Sequence, residues 1–97
     1  MLEVRISPHA SKYFKKIRDK RLKSLYKKSI SEICENPYAG ELKKGDLSGI
    51  YCYDLYYQGT NYEIAYLIEA TGESEIIVII MAGTRENFYE QLKKYWL

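Results

Sequence analysis

The sequence predicts an α+β fold: a strand, two helices, a three-strand antiparallel meander and a closing helix. The two N-terminal helices are packed on one face of the sheet. Three observations carry this reading. Residues 10–33 set apolar side chains three and four apart, the period of helices with one buried side. Residues 49–82 instead form three alternating or apolar segments parted by short glycine-containing turns, which makes the three strands antiparallel neighbours. A chain of 97 residues is expected to be a single domain, 1–97, able to bury one modest core.

Each element has its own signal. "LEVRIS" (2–7) sets Leu2, Val4 and Ile6 against Glu3, Arg5 and Ser7, the pattern of a half-buried strand. Ser7 and Pro8 start a helix, serine as N-cap and proline in the first turn. Ala10, Tyr13, Phe14 and Ile17 then share one face. "RDKR" (18–21) is a polar bend, and Leu22, Leu25, Tyr26, Ser29, Ile30 and Ile33 repeat the spacing in a second, antiparallel helix. Asn36-Pro37 ends it, because proline pushes the residue before it out of the helical region. "YAGELKKGD" (38–46) reads as a loop.

"GIYCYDLYY" (49–57) and "YEIAYLIEA" (62–70) alternate, are rich in aromatic and β-branched residues, and flank a turn at "QGTN" (58–61). After a second turn, "TGES" (71–74), the run "EIIVIIMA" (75–82) does not alternate. It is therefore expected in the sheet interior or covered on both faces. Residues 86–96 set Phe88, Leu92, Tyr95 and Trp96 along one side of a helix, and Leu92, Tyr95 and Trp96 are expected to anchor it to the domain. The sheet face away from the N-terminal helices, with the Tyr-rich strands and loop ends, is the expected place for a ligand.

Composition is that of an ordinary soluble globule apart from 11 tyrosines. Cys34 and Cys52 fit no metal spacing and read as small buried hydrophobes in a reducing compartment. The chain opens "MLEVRISPHA", with charge and a proline where the apolar core of a leader would lie, and its longest apolar run is far short of a membrane span. A cytoplasmic protein is expected. Charge is uneven: residues 1–46 carry a net +6 and residues 47–97 a net −4. A basic half suits a polyanion or an acidic protein; a pair of solvated helices gives the same balance.

Most enzyme signatures are absent: no Walker loop, no Rossmann glycine pattern, no zinc spacing and no nucleophile elbow. His9 is the only histidine, in the first turn of the first helix, and is expected to be exposed. Acid–base chemistry therefore falls to carboxylates, lysines and tyrosines. Three clusters qualify. "GELKKGD" carries Glu41, Lys43, Lys44 and Asp46, as a site or as a solvated loop. Arg85, the only arginine after Arg21, follows the seven apolar residues Ile76–Ala82. Such a charge is held by the buried element behind it; it is aimed at an anion or pairs Glu86 or Glu90 at a helix start. Tyr89 stands one turn later, ahead of Lys93 and Lys94, and periodicity alone assigns it to packing. Counting strands puts the 41–46 loop at one end of the sheet and Arg85 at the other. A ligand joining them must then span the sheet, as a nucleic-acid strand can, or a long segment must fold back.

Taken in order, these pieces resemble the RelE/ParE superfamily of toxins from bacterial type II toxin–antitoxin systems. The resemblance covers the whole chain. It rests on a short strand followed by "S-P-x-A-x-K-Y-F-K-K", on "NPYAG", on "LKKGDLSGIY", on "YEIAYLI" and on a last apolar strand ending "AGTREN-FY". "LKKGDLSG" is most similar to the RelE and YoeB branch. The resemblance implies a RelE-like fold and a toxin. RelE- and YoeB-type members cleave messenger RNA in the ribosomal A site, whereas ParE-type members inhibit DNA gyrase and lack the nuclease residues. It implies no cofactor, no metal and no membrane partner. Its partners are a cognate acidic antitoxin, in one arrangement a heterotetramer, together with ribosome and messenger RNA for a nuclease.

Residue by residue, Lys43 and Lys44 match the basic loop, Glu41 falls where YoeB-type members have a candidate base, and Arg85 matches the arginine on the scissile phosphate. Tyr89 resembles the terminal tyrosine, at a shorter spacing. One position departs. The usual third-strand pattern Y-R-[IL]-x-Y reads "YEIAY" here, with Glu63 in place of a phosphate-binding arginine.

Metal-free RNA cleavage uses the 2′-hydroxyl as nucleophile and needs a base, cations around the phosphorane and an acid for the 5′-oxygen. Arg85 suits the phosphate, with Lys43 and Lys44 as further cations. Gly83 is expected to let a backbone pass close. Glu41 or Glu63 is the candidate base, Tyr89 an acid or a stacking platform. Alternation puts Glu63 on the strand side of Ala65 and Glu69. Two functions stay open: a ribosome-dependent endoribonuclease toxin, or a ParE-like or inactive relative that only binds a protein target and its antitoxin.

Overall fold

The computed structural model describes residues 1–97. The chain runs β1 (Glu3–Ile6), α1 (Pro8–Lys16), α2 (Lys20–Glu35), β2 (Glu41–Leu42), a short 3-10 helix (Gly45–Leu47), β3 (Tyr51–Tyr57), β4 (Thr60–Thr71), β5 (Ser74–Thr84) and α3 (Phe88–Trp96). Its strands form one sheet in the order β1-β5-β4-β3-β2. The predicted meander is β3–β4–β5, antiparallel throughout. β1 lies parallel to β5 at one edge. β2 is an addition: it pairs with the start of β3, Glu41 opposite Cys52 and Leu42 opposite Tyr51, inside the stretch read as loop. Two residues are too few to display a period.

Helices α1 and α2 cover the first sheet face. Ser7 caps α1 by accepting from the Ala10 N–H at 3.1 Å, and its hydroxyl donates to the Ile80 carbonyl at 2.7 Å. Asp19 caps α2 through the Arg21 and Leu22 N–H groups, so the bend is shorter than 18–21. Ala10, Leu22, Tyr26 and Ile33 pack there on Ile64, Tyr66, Ile77 and Ile79. Tyr51, Tyr53, Tyr57 and Tyr62 join this layer. Most strand tyrosines therefore lie under helices rather than on the face expected to meet a ligand. An aromatic ring fills the wide gap between sheet and helix while its hydroxyl finds a partner at the rim. The buried Tyr66 hydroxyl donates to the Pro37 carbonyl at 2.7 Å and accepts from the Gly40 N–H at 3.0 Å, which fixes the approach to Glu41. A Cβ at Gly40 would come within 2.8 Å of that hydroxyl.

The second face is covered by α3. Phe88 and Leu92 pack against Leu47, Ile50, Cys52, Ala65, Ile80 and Met81. Cover on both faces is why β5 does not alternate. A β-bulge adds to it: Tyr66 pairs with Ile79 and Ala65 with Met81, leaving Ile80 without a partner. Ile80 and Met81 consequently both face α3, and Ala82 returns to the α1/α2 side. The spare Ile80 carbonyl is the one that Ser7 satisfies.

Two expectations about the last helix and first strand change. Tyr95 and Trp96 are 45% and 44% exposed, so Phe88 and Leu92 hold α3, while Tyr95 stacks on the His9 ring at 4.4 Å between centroids. Ile6 is 43% exposed because β1 is an edge strand. Cys34 and Cys52 are buried free thiols. No helix is long and apolar enough to cross a membrane.

Candidate functional site

The sheet register brings together what strand counting set apart. Tyr51 at the start of β3 pairs with Tyr66, which pairs with Ile79; Leu55 pairs with Tyr62, which pairs with Thr84. Across β4, β3 is therefore level with the last half of β5, its start opposite Ile79 and its end opposite the residues just before Arg85. α3 then turns back along the second face. The Lys43 ammonium ends 4.7 Å from the centre of the Tyr89 ring. The segment that folds back is a helix, and no ligand has to span the sheet.

Arg85 is held through its backbone. Its N–H donates to the Asn61 carbonyl at 2.9 Å, and its carbonyl accepts from the Phe88 N–H at 3.1 Å. Asn87 takes a left-handed conformation, φ 57°, that bends the chain into α3. The Arg85 side chain is 56% exposed, and its ion partner is Glu63, Nε to Oε2 3.9 Å, rather than Glu86 or Glu90. Gly83 is not needed for close approach. A Cβ there would meet nothing nearer than Phe88 at 3.8 Å, so a side chain has room.

Glu63 lies in the first third of β4, between Asp54 of β3 and Gly83 of β5, and is fully buried on the α3 side. Its Oε1 accepts from the Tyr89 hydroxyl at 2.8 Å. Its Oε2 has no hydrogen-bond partner. Burial, and then the carboxyl group of Asp54, push the Glu63 pKa up to about 7, against the opposing pull of Tyr89 and Arg85. Asp54 is the site residue that sequence reasoning missed. One acid in an alternating aromatic strand reads as a solvent-facing position, and only the hairpin register puts it opposite Glu63.

Tyr89 is half-buried; burial and then Glu63 raise its pKa to about 12, so the phenol keeps its proton. For Lys43, burial works against the charge, but Glu41 and Tyr89 outweigh it and the pKa is raised. Lys43 is held firmly cationic. Glu41 is exposed and paired with Lys43, which holds its carboxyl group below the ordinary range. A carboxylate stabilised in this way is a poor base. Lys44 makes none of these contacts; with Lys43, Gly45, Asp46, Leu47, Tyr89 and Lys93 it lines an open groove of about 470 Å³.

Lys43, Tyr89, Glu63 and Arg85 thus form one contiguous chain of groups, with Glu41 attached through Lys43 and Lys44 in the adjoining groove. One cation, Lys43, lies against a phenol that is bonded to a buried carboxyl group, and a second, Arg85, faces the other oxygen of that group. Such an arrangement can hold an anion and pass a proton inward.

The comparisons agree with this fold. The family described as ParE-like toxin of type II bacterial toxin–antitoxin system matches residues 4–93. The toxin–antitoxin complex RelBE2 from Mycobacterium tuberculosis is similar in structure, with a TM-score of 0.65 at 21% identity over 87% of this chain and 98% of that one. The intact E. coli RelBE toxin–antitoxin complex gives a TM-score of 0.67 at 20% identity over 86% and 95%. At these identities the likeness is one of fold, the same mixed α+β arrangement. No curated protein sequence matches the chain.

Proposed function

This chain belongs to the ParE-like toxins of type II bacterial toxin–antitoxin systems, within the RelE/ParE superfamily, and from that premise we propose that it is an endoribonuclease acting on messenger RNA at the ribosome. One observation carries the reading: the Tyr89 hydroxyl donates to Glu63 at 2.8 Å, with the Lys43 ammonium against the Tyr89 ring and the Arg85 guanidinium facing the other Glu63 oxygen. The 2′-hydroxyl oxygen of the substrate attacks the adjacent phosphorus as the bond to the 5′-oxygen breaks. Its proton goes to the Tyr89 oxygen while the phenol's own proton passes to Glu63. Arg85 holds phosphate oxygens with its planar fork, and Lys43 and Lys44 offset the charge that builds on them. Water in the open groove supplies the proton for the 5′-oxygen. The products are a 2′,3′-cyclic phosphate and a 5′-hydroxyl.

In this reading Arg85, Tyr89 and Glu63 act on the reaction, Lys43 and Lys44 bind RNA, and Glu41 is demoted from base to the partner that orients Lys43. The partner that silences such a toxin is a cognate antitoxin. Both structural neighbours are toxin–antitoxin complexes, and the basic N-terminal half suits an acidic protein. Its working place is the cytoplasm, with ribosomes and message. Primer extension on a message in a purified translation reaction tests the activity. Wild type is expected to cut, and Arg85→Ala and Tyr89→Phe to lose the cut.

A second reading has its own support: Arg85 already engages an acid, and Glu63 stands where the nuclease branch has a cation. A non-nuclease toxin that acts by binding a protein target would inhibit growth and leave the message intact.

A further inference from the structure

Asp54 and Glu63 stand directly opposite each other on β3 and β4, so their side chains share one face with Cβ atoms about 5 Å apart. Glu63 is sealed from water, while Asp54 is exposed. Two ionised carboxylates so placed repel, and the buried one has no solvent to spread its charge. Its Oε2 has no hydrogen-bond partner. A proton on Oε2 removes both penalties, because it turns an orphaned acceptor into a donor on the sheet face that it shares with the Asp54 carboxylate.

The other groups around Glu63 do not supply this proton's partner. Tyr89 of α3 donates to the opposite oxygen, Oε1. Arg85, after β5, is a cation at 3.9 Å. Cys52 of β3 keeps its thiol proton, its pKa raised by burial and by Glu63. Lys43 reaches the cluster only through Tyr89 and Glu41.

We propose that Asp54 and Glu63 hold one proton between them, and that Asp54 is the outlet through which the site exchanges protons with water. The catalytic consequence rests on the RNA-cleaving reading; the shared proton rests on the geometry alone. A proton taken from the 2′-hydroxyl goes to the Tyr89 oxygen, the phenol's proton to Glu63 Oε1, and the Glu63 Oε2 proton to Asp54. One proton enters, one reaches the exposed end, and no charge is left on the buried group. A neutral Glu63 also leaves the Arg85 charge free for a phosphate, so an acid in this position no longer opposes RNA. Asp54 acts through Glu63 and does not touch the substrate; it is a positioning residue for the proton path.

Carboxyl-carbon NMR titration of the full chain, from acid to mildly alkaline pH, tests the shared proton. In wild type the Glu63 carboxyl carbon should titrate near neutrality. In Asp54→Asn the Glu63 midpoint should fall by about one pH unit or more. A Glu63 midpoint unmoved by Asp54→Asn, or a Glu63 ionised throughout, overturns the proposal. The outlet role is read from the pH–rate profile of message cleavage. Asp54→Asn should cut at least tenfold more slowly with a flattened profile, and Asp54→Glu should restore both. Wild-type rate and profile in Asp54→Asn overturn the outlet. Wild type that does not cut, with the titration as expected, overturns the RNA-cleaving reading and the outlet together and leaves the shared proton standing.

Discussion

The hydroxyl of Tyr89 meets the carboxyl group of Glu63 at 2.8 Å, and it is the only hydrogen bond that this buried group receives. It joins α3 to the first third of β4. Phenylalanine at position 89 keeps the ring under Lys43 and edge-on to Phe88 but removes the donor. Glu63 Oε1 is then buried without its donor, a loss of about 1–3 kcal/mol. Tyr89→Phe should lower the melting temperature and abolish cleavage; wild-type melting and cutting would make the bond incidental.

Arg85→Ala should remove growth inhibition and spare the fold. The anchors at Asn61 and Phe88 use backbone atoms, which alanine retains. The lost donor to a charged transition state is worth on the order of 10²–10³ in rate. Colony counts under tight induction, with melts of the purified chains, give the answer. Undiminished toxicity would leave Arg85 as a partner for Glu63 and nothing more.

Glu63 sets a pH dependence whose sign follows from its raised pKa, about 7 against an ordinary 4.5. Between those values the folded chain keeps a proton that the unfolded chain has released. Its contribution to stability is therefore complete below 4.5, shrinks as the pH rises, and is gone above 7. The total is about 3 kcal/mol. Glu63→Gln, which cannot ionise, should lack this slope. Urea midpoints for both chains across the window decide it, and parallel curves would refute it. Arginine here is a poor test of the family pattern, because it puts a permanent charge in a sealed space beside Arg85.

Leu92→Ala should destabilise far more than deleting the residues after Lys93. Leu92 is fully buried between α3 and the sheet, and its truncation costs about 2–5 kcal/mol. The deletion removes Tyr95, stacked on His9, and the half-exposed Trp96, together about 1 kcal/mol. Thermal melts of the two variants rank them; a larger loss from the deletion would mean that Tyr95 and Trp96 carry the helix after all.

Element types were legible because they follow local periods. Ser7, Asn36 and the alternation of 49–57 each act within a few residues, and the structure follows them. The site was only half legible. Lys43, Tyr89, Glu63 and Arg85 were all named from the sequence, but their meeting depends on register. Equal-length strands would have parted the loop from Arg85; β3 instead aligns with the last half of β5, and an amphipathic stripe does not say which sheet face α3 will cover. Asp54 went unnoticed because a carboxylate on a strand looks solvated until its cross-strand neighbour is known.

The bulge at Ile80 also decides where β5 tolerates a change in length. Because Ile80 has no partner on β4, deleting it would close an ordinary ladder and leave Met81–Thr84 opposite the same residues as before. The Ser7 hydroxyl would lose its carbonyl, but Arg85 would stay where it is. Deleting Ala82, Gly83 or Thr84 instead would drag Arg85 one residue down the strand and turn it through to the opposite face. Natural variants of this chain should therefore gain or lose single residues beside Ile80 and nowhere between it and the arginine.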